Sequence, residues 1–336
     1  MDHQTAIGTH DTNVPKGAPE RPLVTFALFA YNQEKFIREA VEGAFSQTYS
    51  PLEIILSDDC SSDRTFEIME EMAREYRGPH RVVVRQSPKN RRLMGHINDV
   101  VALAEGSIIV MAAGDDISLP ERTTEHAEIY TRWPVTHAVC SDYFTMSTPF
   151  VPVSNQSEKA LRQFTLLRHI SNVGGWGTGA TYSYRRECFE WPSLVPEIIE
   201  NEDRVLPTRA AILGRVAYQK AKLIRYRTPE EVGQLEAKRR WWKKEIINER
   251  ADHLNATLLI ATKSKRLSPF SGLSSRLLLR LACWNAVISN SPELNLSHSR
   301  RAIISGALAT PFIFWLKLQR LTDFYAPIIR RLHCEE

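Results

Sequence analysis

Leu23-Val-Thr-Phe-Ala-Leu-Phe-Ala30, followed at once by Tyr31-Asn32, decides the fold. A continuous apolar run without a charge is the pattern of a strand buried on both faces. Downstream, Phe36, Ile37, Ala40, Val41, Ala44 and Phe45 recur at helical spacing, and Asn32 is the candidate cap of that helix. Glu53–Ser57 reads as a second strand. Ser61, Ser62 and Asp63 then signal a helix that carries Phe66, Met69, Ala73 and Tyr76. Val82–Val84 is a short third strand and Met94–Ala104 a helix. Ser107–Ala112 is a fourth strand, Pro120 opens another helix, and His137–Cys140 begins a fifth strand. Repeated strand–helix–strand units predict an α/β fold, a mostly parallel sheet covered by helices. Farther on, Gly174, Gly175, Gly177 and Gly179 surround Trp176 and lead into a strand-like Thr178–Tyr184. Glu202–Leu213 reads as a helix, Val216–Tyr218 and Leu223–Tyr226 as short strands, and the signals from Glu230 onward are helical.

In such sheets ligands bind beyond the carboxyl ends of the strands. Tyr31 and Asn32 follow the first strand, Asp58 and Asp59 the second, Asp115 and Asp116 the fourth. All six therefore fall on one sheet edge. Adjacent carboxylates after a buried strand are costly unless water, donors or a cation compensate them. Hard divalent ions such as Mg²⁺ and Mn²⁺ take oxygen ligands and bridge carboxylates to substrate phosphates. Each pair alone reads equally well as a helix cap.

Taken in order, the motifs carry more. They are Tyr31-Asn32, Phe45-Ser-Gln-Thr-Tyr-Ser-Pro-Leu-Glu53, Ser57-Asp-Asp-Cys-Ser-Ser-Asp63, Gly95 with Asn98, and Gly106-Ser-Ile-Ile-Val-Met-Ala-Ala-Gly-Asp-Asp116. Over Leu23–Arg122 the chain resembles the donor-binding half of family 2 glycosyltransferases, which have the GT-A fold. The resemblance implies that Tyr31 stacks on the nucleobase and that Asp59 hydrogen-bonds it, with Asn32 and Asp58 in the same donor site. It places Asp115 near the ribose or diphosphate and Asp116 on the metal, with Asp115 as the other metal candidate. Asn98 and Arg91 or Arg92 would line the donor pocket. Gly177-Thr-Gly-Ala-Thr181 and Glu200-Asn-Glu-Asp-Arg204 resemble the acceptor loop and the base motif. Asp203 matches the catalytic base and Glu202 is the next candidate. Ala113, Ile117, Cys60 and Phe29 depart from the family pattern.

The expected reaction is a one-step, inverting transfer of a sugar from a UDP-, dTDP- or GDP-sugar, dependent on Mn²⁺ or Mg²⁺. The acceptor is a hydroxyl of a glycan or lipid-linked molecule, in cell-surface polysaccharide biosynthesis. A nucleotidyltransferase shares the need for a nucleotide pocket and Asp-bound metal, and a degenerate, non-catalytic scaffold is the remaining alternative. No Gly-x-Gly-x-x-Gly or Walker loop follows the first strand, which argues against a dehydrogenase or NTPase. His96, His126, His137 and His169 show no metal-ligand spacing and read as surface or core residues.

Charge divides the chain. Residues 231–336 hold 17 Lys/Arg against 9 Asp/Glu, a net +8 in a chain of +4. Lys238-Arg-Arg-Trp-Trp-Lys-Lys244 and the apolar Ile303–Leu316 fall in this part, and the latter is shorter than the ~20 residues a spanning helix needs. The region reads either as a helical appendage packed on the catalytic domain or as a contact with an anionic membrane surface, with no nucleic acid expected. The expected organisation is a flexible tail over 1–21 and a GT-A domain over 22–229. That domain divides into a nucleotide-sugar-binding half, 22–122, and an acceptor half, 123–229, and a basic helical region covers 230–336. Five widely spaced cysteines without a Cys-x-x-Cys, and a polar start without an apolar run, fit a cytoplasmic protein, and the basic C-terminal part adds the option of a peripheral place at the inner face of the plasma membrane.

Overall fold

The structure is a computed structural model. It describes residues 4–7, 21–149, 151–152, 160–166, 169, 177–191, 202–233, 257 and 261. The chain divides into units 1–286 and 287–336, and every described residue lies in the first. Lys238–Lys244, Ile303–Leu316 and nearly all of the basic region 230–336 lie outside the described residues.

The elements in order are β1 (Gln4–Ile7), β2 (Val24–Ala30), α1 (Ile37–Phe45), β3 (Leu52–Asp58), α2 (Thr65–Glu75), β4 (Arg81–Gln86), α3 (Arg92–Leu103), β5 (Ile108–Ala113) and β6 (Ile117–Ser118). There follow α4 (Arg122–Arg132), β7 (Thr136–Thr145), β8 (Leu161–Phe164), β9 (Tyr182–Arg185), α5 (Glu187–Glu190), α6 (Glu202–Leu213) and β10 (Arg215–Tyr226). They form one mixed sheet in the order β1-β4-β3-β2-β5-β9-β7-β10-β6, with β8 on β10. Strands β4, β3, β2 and β5 run parallel, as the strand–helix alternation predicts. Every residue of β2 and β3 is buried, because helices cover both faces. Phe26, Leu28, Ile54, Leu56 and Val110 pack there with Ile37, Ala40, Val41 and Ala44 of α1. The helical spacing read over 36–45 therefore identifies the face that the sheet buries.

Three local readings differ. Asn32 does not cap α1, whose N-cap position is Phe36. Asn32 instead takes a left-handed φ of 52° and ties the end of β2 to the turn after β3. Within the tail expected to be flexible, Gln4–Ile7 pair antiparallel with Val82–Arg85 of β4 and extend the sheet by a strand. Finally, the two short strands expected after α6 are one strand, β10. It runs parallel to β7 with register shifts around Gln219 and Lys222, which break the apolar pattern that the sequence shows. Among the described residues no helix is long and apolar enough to cross a membrane.

Candidate active site

Parallel register brings three strand ends together. Ala30 of β2 pairs with Asp58 of β3, and Phe29 pairs with Ala113 of β5. Tyr31, Asp59 and Asp115, each just past its strand, thereby border one cleft of about 400 Å³. Arg92 of α3 and Glu202 of α6 line the same cleft. Tyr31 is 48% exposed, an aromatic ring held at the mouth of the cleft. Asp59 is buried and its Oδ1 accepts the Arg91 amide at 2.8 Å. Burial pushes its carboxyl above the usual range, against the hydrogen bond from the Arg91 amide.

The other residues expected in the donor site are placed behind it. Asp58 accepts from the Ser61 amide at 2.8 Å, from the Ser61 hydroxyl, and from Gln86 Nε2 at 3.0 Å. It thus shapes the turn that aims Asp59. Asn32 does similar work, accepting from the Ser62 amide at 2.9 Å while its own amide donates to Ser61 Oγ at 2.8 Å. Arg91 turns its side chain to Asp99, Nε to Oδ2 at 3.2 Å, and lines a separate cleft with Arg85 and Lys89. Arg92 is the arginine of this pair that lines the cleft of Tyr31 and Asp115. Asn98 is buried on α3 and does not line the cleft.

Asp115 and Asp116 diverge in the same way. Asp115 lines the cleft. Asp116 is 5% exposed, and its Oδ1 accepts the Arg227 amide at 2.8 Å. Arg227 also donates to the Asp115 carbonyl at 2.6 Å and to Glu39 at 3.0 Å. Burial pushes both carboxyls up, and for Asp116 the charge of Asp115 adds to it. Among the described residues no three His, Cys, Asp or Glu side chains group to hold a metal. Asp115 on the cleft and its neighbour Asp116 are nevertheless oxygen ligands of the type a hard divalent ion takes, and would be the residues to hold one.

Arg122 and Arg227 carry no sequence signal that marked them. Arg122 is completely buried, and burial pushes its guanidinium down to about 9, with Asp116 opposing. It donates to Ser118 Oγ at 2.9 Å and to the carbonyls of Met111 and Ala180, each at 2.7 Å. One guanidinium thus joins β5, β6 and the turn at Gly179–Thr181. His96, read as a surface or core residue, lines the cleft.

Glu202 and Asp203 occupy the first turn of α6. Glu202 lines the cleft, while Asp203 Oδ2 stands 3.6 Å from Arg204 Nη2. Burial, and then the neighbouring Asp203 charge, raise the Glu202 carboxyl above its ordinary range. Gly179 lies directly beneath this carboxylate: a Cβ there would stand 2.1 Å from Glu202 Oε1. Gly179→Ala should therefore displace the flexible end of Glu202 and not the backbone. The expected result is a turnover loss of roughly 10–100-fold with little change in Tm, because a shift near 1 Å is enough. Steady-state kinetics with a melting curve checks this, and unchanged turnover would show that the Glu202 position is not used.

Residues 25–190 match the model of glycosyl transferase family 2. EpsE of Bacillus subtilis (strain 168) is 36% identical over 101 residues, 30% of this chain and 36% of EpsE. The uncharacterized glycosyltransferase EpsJ of the same organism is 31% identical over 182 residues, 52% of this chain and 51% of EpsJ. The chain thus spans about a third to a half of these relatives. In structure it is similar to S. aureus TarS 1-349 in complex with UDP-GlcNAc, with a TM-score of 0.59 at 17% identity, over 84% of this chain and 79% of that one. It is also similar to the mannosyltransferase PcManGT from Pyrobaculum calidifontis in complex with GDP-Man and Mn²⁺, with a TM-score of 0.55 at 18% identity, over 91% and 81%. These two likenesses are of fold. Through residues 25–190 the chain belongs to glycosyl transferase family 2, with the GT-A fold.

Proposed function

We propose that the protein transfers a sugar, with inversion, from a nucleoside diphosphate to an acceptor hydroxyl. The observation that carries this is a single cleft bordered by an exposed aromatic ring, Tyr31, by the carboxylates of Asp59 and Asp115, and, from α6, by Glu202. Tyr31 offers a face for a base, and Arg92 offers positive charge for phosphate. Asp115 and Asp116 would hold a divalent ion, which when bound neutralises charge on the departing diphosphate. The Glu202–Asp203 pair takes the proton of the attacking hydroxyl. A carboxyl raised toward neutrality is suited to that task. Among the described lining residues the carboxylates of Asp59, Asp115 and Glu202 each have one of these roles, which leaves none of them over as a covalent nucleophile and favours one displacement over two. Family membership and the nucleotide-sugar complexes of TarS and PcManGT support the donor class. Chondroitin synthase of Escherichia coli, 35% identical over 100 residues, supports a glycan acceptor and a role in polysaccharide synthesis.

The test is a melting-curve screen of nucleotide sugars with and without Mn²⁺, followed by product analysis with glycan acceptors. A donor present at ~100 times its Kd should stabilise the fold by about 2.7 kcal/mol. Release of nucleoside diphosphate supports the proposal. Release of pyrophosphate would make the enzyme a nucleotidyltransferase, and absence of any binding or turnover would leave a scaffold.

A further inference from the structure

His96 has a place in the cleft that the acid–base and metal chemistry does not use. Its ring lines the cleft from α3, 3% exposed and edge-on to Phe29 with centroids 5.2 Å apart. Its Nε2 stands 2.5 Å from Ser57 Oγ. Ser57 is fully buried, and its Oγ also accepts from Arg85 Nη1 at 2.9 Å. A guanidinium has donors only. The one serine proton therefore has a single acceptor among these partners, His96 Nε2. If Ser57 accepted from both neighbours, its own O–H would be left unpaired in the interior, which is unfavourable. The hydrogen bond accordingly runs from Ser57 to His96, and the ring's proton sits on Nδ1. Burial, and then the Arg85 charge, push the imidazole down to about 3, so the ring stays neutral with its tautomer set by Ser57.

We propose that His96 is a specificity-determining residue that reads the donor's nucleobase. Its Nδ1–H donates to the carbonyl oxygen that uracil, thymine and guanine carry where cytosine and adenine carry an amino group. An amino group at that place would set donor against donor and leave both unpaired in a closed site. Asp59, on the same cleft, suits the ring N–H that adjoins this carbonyl in all three accepted bases. Ser57 is a positioning residue, acting through the tautomer, and Phe29 supplies the apolar wall. This inference rests on the nucleotide-sugar reading of the cleft.

Calorimetry of UDP, dTDP, GDP, CDP and ADP against the whole chain tests it. The best ligand should be one of the first three, preferred over CDP and ADP by ~10-fold or more. His96→Ala and Ser57→Ala should each reduce that ratio by about 10-fold. Independently of any variant, ¹⁵N spectra of the unaltered protein should show His96 protonated at Nδ1 and bare at Nε2 between pH 6 and 8, and Ser57→Ala should mix the tautomers. A ring protonated at Nε2, a preference for CDP or ADP, or an unchanged ratio in His96→Ala would overturn the role of His96 while leaving the donor class intact. If no nucleoside diphosphate binds at all, the donor reading itself fails, and this one with it.

Discussion

Glu202→Gln and Asp203→Asn should each lower turnover by ~100-fold or more while the nucleotide sugar still binds. Each change keeps size and hydrogen bonding and removes only the ability to take a proton. Both carboxylates are included because they are neighbours in the first turn of α6, and after burial the Asp203 charge is what helps to raise Glu202. Glu202 reaches the cleft wall, and Asp203 holds the position that the family resemblance gives to the base. Unequal losses would say which of the two accepts the proton. The raised Glu202 also sets a sign for pH. Activity should climb as pH rises from the ordinary carboxylate range, because the base works only when deprotonated, and Glu202→Gln should flatten that limb. Near wild-type turnover in both variants would remove the base from α6 altogether.

Asp115→Asn and Asp116→Asn should each cost ~10-fold or more of the gain in donor affinity that Mn²⁺ confers, without comparable loss of metal-free binding. The asparagine oxygen at 116 can still accept the Arg227 amide, so the end of β10 stays in place. Burial raises both carboxyls, so the folded state holds protons that the unfolded chain releases. Stability from this source is present at low pH and is lost as pH rises from about 4 toward the raised folded values. A divalent ion requires the deprotonated forms and compensates them, so Mn²⁺ with donor should raise Tm more at pH 8 than at pH 5.5. Melting curves at the two pH values, with and without EDTA, measure this. An equal Mn²⁺ effect in wild type and in both variants would detach the metal from this pair.

Much of this was legible in the chain itself, for reasons that are local. Leu23–Ala30 and Ser107–Ala112 are apolar on both faces, and only a strand covered on both sides tolerates that. The alternation of such runs with helical spacing orders the parallel core, and the topology rule then puts Tyr31, Asp59 and Asp115 on one edge. Glu202–Leu213 is the helix that the sequence predicts, residue for residue.

Only the tertiary structure decided which member of each polar pair faces the cleft. Asp58 and Asp59, Arg91 and Arg92, Asp115 and Asp116, and Glu202 and Asp203 are chemically near-identical neighbours. Side-chain direction in a turn depends on which distant backbone groups need partners. Asp58 is turned inward by Ser61 and Gln86, Asp116 by the amide of Arg227, a residue 111 positions away. The same holds for His96, whose role depends on Ser57 and Arg85 from two neighbouring strands. Hydrophobic periodicity is written along the chain, whereas hydrogen-bond satisfaction is settled between segments that meet only when the sheet has closed.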